Sequence, residues 1–178
     1  AFYYQMGKNK AAEKVSALMG SIQAAYTFNQ TWGAVASFDY LSGDKGNGGK
    51  YKAFDPLYGT HHKFYGAMAS TFANGYAPGL MDARIGGRFR LSGKVDMELN
   101  YHYFSTAVKV QDLKKYLGSE VDYQINWSIM KDVKLSAGYS FMRGTKTMDA
   151  VKTGNHKSWQ DWGWVSLNIN PKVFFTKW

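Results

Sequence analysis

Cysteine is absent from the 178 residues, which excludes a disulfide scaffold, a thiolate zinc site and a cysteine nucleophile. Only three prolines occur, and the 19 glycines form no repeat, so a collagen-like or proline-rich chain is excluded. A mean hydropathy of −0.40 excludes a bundle of membrane helices, but it allows a transmembrane β-barrel, whose wall is apolar on one side only. No basic segment followed by an apolar one opens the chain, so we expect no signal peptide and a mature or truncated polypeptide.

Charge is missing from residues 15–38, a run long enough to cross a bilayer as a helix. Serine, threonine, asparagine and glutamine are scattered through it, and residues 29–31 (NQT) form a turn signal. The run therefore predicts two strands joined by a tight turn.

Apolar and polar residues alternate with a period of two along most of the chain, which is typical of strands with one apolar face. In residues 81–91 the apolar positions include Met81, Ile85 and Phe89, and the positions between them include Arg84 and Arg88. The same pattern recurs often enough to predict eight strands, at about 2–7, 15–28, 32–42, 81–91, 95–106, 119–129, 133–142 and 159–170.

Short turns alternate with long polar loops at about 8–14, 43–80, 107–118 and 143–158. This arrangement, with strands of about ten residues, is the pattern of an outer-membrane β-barrel. We therefore predict one all-β, antiparallel transmembrane barrel domain over residues 1–178. The 43–80 loop is expected to be extracellular or folded into the lumen.

The cost of burying charge decides which face meets lipid, because an arginine or lysine near the bilayer midplane costs about 2–4 kcal/mol on the lipid side. The charged faces are therefore expected to line the lumen, with aromatic residues near the strand ends forming two interfacial girdles. The alternative is a soluble, lipocalin-like barrel or sandwich, in which the apolar face is the core and the charges point to water.

The SGK turn at residues 92–94 sets a strand register that places Arg90 opposite Asp96, Arg88 opposite Glu98, and Arg84 opposite His102. These charges form either a structural ladder of ion pairs or, where arginines stay unpaired, a path for anions. The candidate lumen residues are Arg84, Arg88, Arg90, Lys134, His102, Glu98 and Asp96.

No catalytic motif, metal site or cofactor site is expected. His61 and His62 are adjacent and would point apart on an extended strand, and residues 44–49 (DKGNGG) resemble half a calcium loop without its closing glutamate. The net charge of +9 follows strand alternation and forms no basic aromatic platform, so no nucleic-acid partner is expected.

Residues 38–44 read FDYLSGD and residues 52–66 read KAFDPLYGTHHKFYG. With the strands around them, these runs resemble the C-terminal part of the alginate-export-like outer-membrane porin family in its Bacteroidetes form. The resemblance implies a barrel of about eighteen strands in the bacterial outer membrane, of which this chain would supply about eight, with strands missing at its N-terminus. It also implies passage of an anionic polysaccharide or small solutes.

Three classes of function stay open at this point. The first is an outer-membrane porin for alginate-like polysaccharide or small solutes, with outer-membrane lipid, lipopolysaccharide and other outer-membrane proteins as its surroundings. The second is a complete eight-stranded structural or adhesion barrel without a pore, since eight strands close around an interior filled by side chains. The third, an enzyme barrel of the lipase or protease type, is disfavoured because no serine, histidine and acid share a site.

Overall fold

The computed structural model describes residues 1–56, 65–68 and 77–171. Within these ranges the chain forms eight strands and one short helix. In chain order these are β1 (Phe2–Lys8), β2 (Lys14–Thr27), β3 (Trp32–Leu41), β4 (Leu80–Arg90), β5 (Val95–Ser105), β6 (Tyr116–Met130), β7 (Val133–Gly144), α1 (Lys146–Lys152) and β8 (Gln160–Ile169).

The strands form one antiparallel sheet in the order β1 to β8. The predicted all-β antiparallel fold is confirmed, and each observed strand boundary lies within three residues of the predicted one. In the part of the chain that is described, β1 pairs only with β2, and β8 only with β7, so these two strands are the edges of the sheet.

The two faces of the sheet differ in chemistry because side chains alternate along each strand. We call the face that carries Arg84 and His102 the inner face, and the face that carries Ile85 and Tyr101 the outer face. The observed pairing of β4 with β5 is the one that the SGK turn predicts, with Arg84 opposite His102 and Arg88 opposite Glu98.

The two ends of the sheet differ in their connections. At the turn end, β2–β3, β4–β5 and β6–β7 are joined by short turns, two of which are closed by side-chain acceptors. The Asn29 carboxamide accepts the amides of Thr31 and Trp32, and the Ser92 hydroxyl accepts those of Lys94 and Val95. Polar side chains of this kind satisfy turn amides and fix the strand register.

At the opposite, loop end the inner face carries a small apolar core instead of charge. Phe104 is fully buried there, and Met148 of α1 packs against the same core. Its buried members are Ala17, Leu41, Phe54, Leu80, Phe104, Leu117, Met142 and Met148.

Helix α1 lies within the long polar loop predicted at residues 143–158, and the sequence analysis did not predict it. The Thr147 hydroxyl donates to the Lys114 carbonyl oxygen at 2.7 Å, and Met148 supplies the apolar anchor. Tertiary packing therefore stabilises a seven-residue helix that is too short to be stable alone. Among the residues described, no helix combines the length and the apolar character needed to span a membrane.

Candidate functional site

A polar cavity of about 350 Å³ lies on the inner face. Its lining side chains come from strands β2 to β8, so the sheet curls far enough for its second and eighth strands to enclose one space. Loop residues Tyr65–Ala67 close part of it. The polar and aromatic lining includes Gln23, Ser37, Arg84, Asn100, Gln124 and Trp164.

Arg84 reaches across the inner face toward β3 and β2. Its Nε donates to the Ser37 hydroxyl at 3.0 Å, and its Nη2 donates to Gln23 Oε1 at 2.8 Å. Both acceptors are neutral, and none of the ion pairs formed by the described residues includes Arg84. A guanidinium has five N–H donors, so Arg84 keeps further donors and an unpaired positive charge at the cavity wall.

His102 is buried between two aspartates and turns away from Arg84, although the two residues are paired in register. Its Nδ1 lies 2.9 Å from Asp82 Oδ2, and its Nε2 lies 3.4 Å from Asp122 Oδ2. Asp82 is on β4 and Asp122 is on β6, so the imidazole of His102 on β5 links its two neighbouring strands.

The loop tip, residues 65–68, is bound to the acidic side chains of β6. The Ala67 amide donates to Asp122 Oδ2 at 3.2 Å, and the Met68 amide donates to Glu120 Oε1 at 2.8 Å. Gly66 has a φ of +84°, and a β-carbon there would lie 2.6 Å from Glu120 Oε1. Only glycine combines this backbone conformation with so close an approach.

Each of the two acids that bind the loop tip also has a second, buried oxygen. Glu120 Oε2 and Asp122 Oδ1 have no hydrogen-bond partner among residues 1–56, 65–68 and 77–171. Both residues lie on the inner face of β6, two positions apart, so the acids that bind the loop tip also bring two buried, unsatisfied oxygens to this part of the sheet.

Tyr65 is the aromatic anchor of the loop tip, and it packs against the apolar core. Burial and, to a smaller extent, the nearby carboxylates of Asp39 and Asp82 together raise the pKa of Tyr65 to about 12. The phenol is therefore neutral at physiological pH and adds no charge to the cavity.

The arginine ladder differs from the prediction in its side-chain contacts. Arg88 contacts both acids of β5, with Nη2 at 3.9 Å from Asp96 and Nε at 3.7 Å from Glu98. Arg90 forms none of the ion pairs found in the described chain, although its backbone is opposite Asp96. The two acids are two residues apart on one face, so a single long side chain reaches both.

The remaining predicted lumen residues lie toward the turn end. Asp96 Oδ2 also accepts a hydrogen bond at 3.0 Å from Nδ2 of the Asn126 side chain. Lys134 is exposed on β7, where its backbone is opposite Ser128 and Asn168. Arg84 and Glu98 line the cavity together with His102. Arg84 and Glu98 also line a second space of about 490 Å³ nearer the turns, together with Arg88 and Arg90. Lys134 lines neither space.

Sequence reasoning placed Glu120 and Asp122 on the inner face but did not identify their role in binding the loop tip. Trp164 and Gln23 were not considered as site residues at all. The signal for the loop-end core was present, because Leu80, Phe104 and Met142 are the apolar exceptions on otherwise polar faces at one end of their strands.

The 43–80 loop is described only in part. Residues 57–64, which include His61, His62 and half of the motif behind the family resemblance, lie outside the described residues. In the calcium-like segment, Asp44 accepts the backbone amides of Gly46 and Lys52, so its carboxylate closes the loop. No group of three or more potential metal ligands occurs in the ranges that are described.

No protein-family model matches the chain, and no curated protein matches it significantly.

Proposed function

We propose that this chain forms the wall of an outer-membrane β-barrel channel that passes anionic polysaccharide of the alginate type, or small solutes. In this proposal the outer face meets outer-membrane lipid and lipopolysaccharide, and the inner face lines the passage. The barrel is either closed by these strands or completed by further ones, up to about eighteen in a porin of the family that the sequence resembles. Arg84 is the main contact for an anion.

The observation that supports the proposal is the inverted distribution of polarity. Large apolar side chains on the outer face are exposed, including Ile22 at 71%, Ile85 at 63% and Val165 at 74%. Ionisable groups on the inner face are buried, including Asp82 at 2% and Glu120 at 1% exposed. A sheet with this distribution is stabilised when its outer face is in lipid, because exposed apolar surface is costly in water.

The stacking of aromatic rings near the turn end also supports a membrane position. Phe28 and Trp32 stack with their centroids 3.9 Å apart, next to Tyr26. Aromatic rings with one polar edge are enriched at membrane interfaces, where one part of the ring is in the apolar region and the other is hydrated.

A second candidate function follows from the filled loop end. The apolar core and the bound loop tip narrow the interior there, as expected for a small structural or adhesion barrel without a pore. An enzyme barrel has less support, because both ring nitrogens of His102 face carboxylates and leave none to activate a nucleophile.

Conductance in planar lipid bilayers tests the channel and the role of Arg84 together. We expect the complete chain to give a steady current, and Arg84→Glu to lower the preference for anions in reversal-potential measurements more than Arg90→Glu does. Arg84→Gln, which removes charge without reversing it, should give an intermediate shift. The physical reason is that Arg84 faces neutral acceptors at the cavity, whereas Arg90 lies on the exposed turn side.

Absence of a steady current would contradict a channel closed by these eight strands alone, and for a barrel of eight strands it would favour the pore-free alternative. A current with equal effects of Arg84→Glu and Arg90→Glu would mean that selectivity is determined elsewhere, most directly in the 43–80 loop.

A further inference from the structure

The indole of Trp164 lies on the inner face, against Gly138 of the neighbouring strand β7. A β-carbon on Gly138 would lie 2.3 Å from Trp164 Nε1 and 2.5 Å from its Cε2. Only a residue without a side chain at position 138 therefore allows the ring to lie there. Trp164 also contributes to the wall of the cavity.

Planar polar groups line the same cavity from other strands. Asn100 lies over Gly86, where a β-carbon would be 2.1 Å from its Oδ1. Gln124 and Arg84 also line the space. Two of the donors of Arg84 are used by Ser37 and Gln23, so three of the five N–H groups of a guanidinium remain for a ligand.

The carboxylates of Asp39, Asp82, Glu98 and Asp122 line the cavity as well. A flat aromatic surface surrounded by amide, guanidinium and carboxylate groups suits one class of ligand in particular. A pyranose ring has an apolar C–H face, which packs on the electron-rich face of an indole. Its edge carries hydroxyl groups, which form hydrogen bonds with planar amides and guanidinium groups. The cavity volume of about 350 Å³ is at the lower end of the range for small-molecule sites, and it suits a single ring better than a polymer segment.

We propose that this cavity is a saccharide subsite, in which a pyranose ring stacks on Trp164 and its hydroxyl groups bind Arg84, Asn100 and Gln124. The inference rests on the proposed channel function and extends it. Stacking recognises the ring itself, so the subsite accepts neutral sugars as well as acidic ones.

Isothermal titration calorimetry tests this binding without requiring a current or a tryptophan signal. The chain, folded in a detergent without a sugar headgroup, is titrated with glucose as the neutral probe and with sodium glucuronate as the acidic probe. Both should give a saturable change. Trp164→Ala should weaken the binding of both by about tenfold or more, because the aromatic stacking is lost.

Three further variants separate ring stacking from general damage to the fold. Trp164→Phe keeps an aromatic surface and should retain most of the affinity. Gly138→Ala leaves the indole intact but displaces it from β7, and it should weaken binding. Trp159→Ala removes a tryptophan that is 69% exposed and stacks on Phe141, and it should leave binding unchanged.

The absence of a saturable signal in the unmodified chain would overturn the subsite, as would equal affinities of Trp164→Ala and the unmodified chain. A measurement of bilayer conductance distinguishes a failure of the subsite proposal from a failure of the proposed channel function. A conducting chain that binds neither sugar refutes only the subsite, whereas sugar binding without current supports the subsite and refutes a channel closed by these eight strands alone.

Discussion

The two faces of the sheet reverse the usual arrangement of a folded protein. The outer face carries large apolar side chains that are exposed along its whole length, from Phe2 to Ile169. The inner face carries acids, a histidine and amides, several of which are buried and hydrogen-bonded under a loop. A water-soluble sheet that packs on one side buries its apolar face, so the difference points to an environment outside the chain that covers the outer face.

The inner face is itself divided along the strands. Near the loop end it is packed, with Phe104 and Leu80 fully buried, and near the turn end Arg88 and Arg90 are exposed. The structural stability contributed by the inner face is therefore concentrated at the loop end, and the accessible charge is concentrated at the turn end. Substitutions can test the contrast between the two faces and the contrast between the two ends of the inner face.

The largest effect is expected at Phe104. Phe104→Ala should lower the free energy of unfolding by about 3–5 kcal/mol, because a fully buried ring leaves a cavity when it is removed. Phe38→Ala on the outer face is the matched control, since Phe38 is 42% exposed. Lipid tails would fill the space that it leaves, so its loss should be clearly smaller. Urea unfolding of the chain in phospholipid vesicles measures both, and equal losses would contradict the contrast between the faces.

A somewhat smaller effect is expected from a new charge on the outer face of β8. Val165→Arg should destabilise the membrane-inserted sheet by about 2–4 kcal/mol, because it places a charge at lipid depth. Ser166→Arg is the control, since Ser166 is the next residue, is also exposed, and lies on the inner face.

Both positions are exposed, so a water-soluble sheet would tolerate the two substitutions equally. The same urea titration in vesicles distinguishes these outcomes. Equal tolerance of Val165→Arg and Ser166→Arg would contradict the proposal that the outer face contacts lipid.

The smallest effect is expected at the exposed arginines. Arg88→Ala should cost about 1 kcal/mol or less, because its contacts with Asp96 and Glu98 are long and its side chain is 68% exposed. The loss should shrink further at high salt. Arg90→Ala, which removes no ion pair known in the described residues, should leave stability unchanged. Urea titrations at low and high salt compare the two, and a large loss that does not depend on salt would show that Arg88 has a packing role.

Much of the fold could be predicted because period-two alternation is a local signal. Strands β4 and β5 show it most clearly, and the SGK turn between them sufficed to predict the pairing of Arg84 with His102. Helix α1 could not be predicted in the same way, because it depends on contacts between distant parts of the chain. Thr147 bonds to Lys114, which precedes β6, and Met148 packs against the loop-end core.

The sequence predicted on which face of the sheet the candidate site residues lie, but it did not predict which residues their side chains contact. Alternation placed Arg88 and Arg90 on the inner face, yet their ion pairs depend on which rotamer reaches which acid. That choice gave Arg88 two partners. Trp164 gave no signal as a site residue, because its position depends on Gly138 of the neighbouring strand.

The order of polar and apolar residues alone determined that this chain is an antiparallel sheet with two unlike faces, since alternation and turn residues act over a few positions. Only the tertiary structure decided how the inner face is used. The loop tip reaches Glu120 and Asp122 from more than fifty residues away, and the curl of the sheet brings Gln23 and Trp164 to one cavity. Contacts of this kind depend on the three-dimensional path of the chain, which no local pattern encodes.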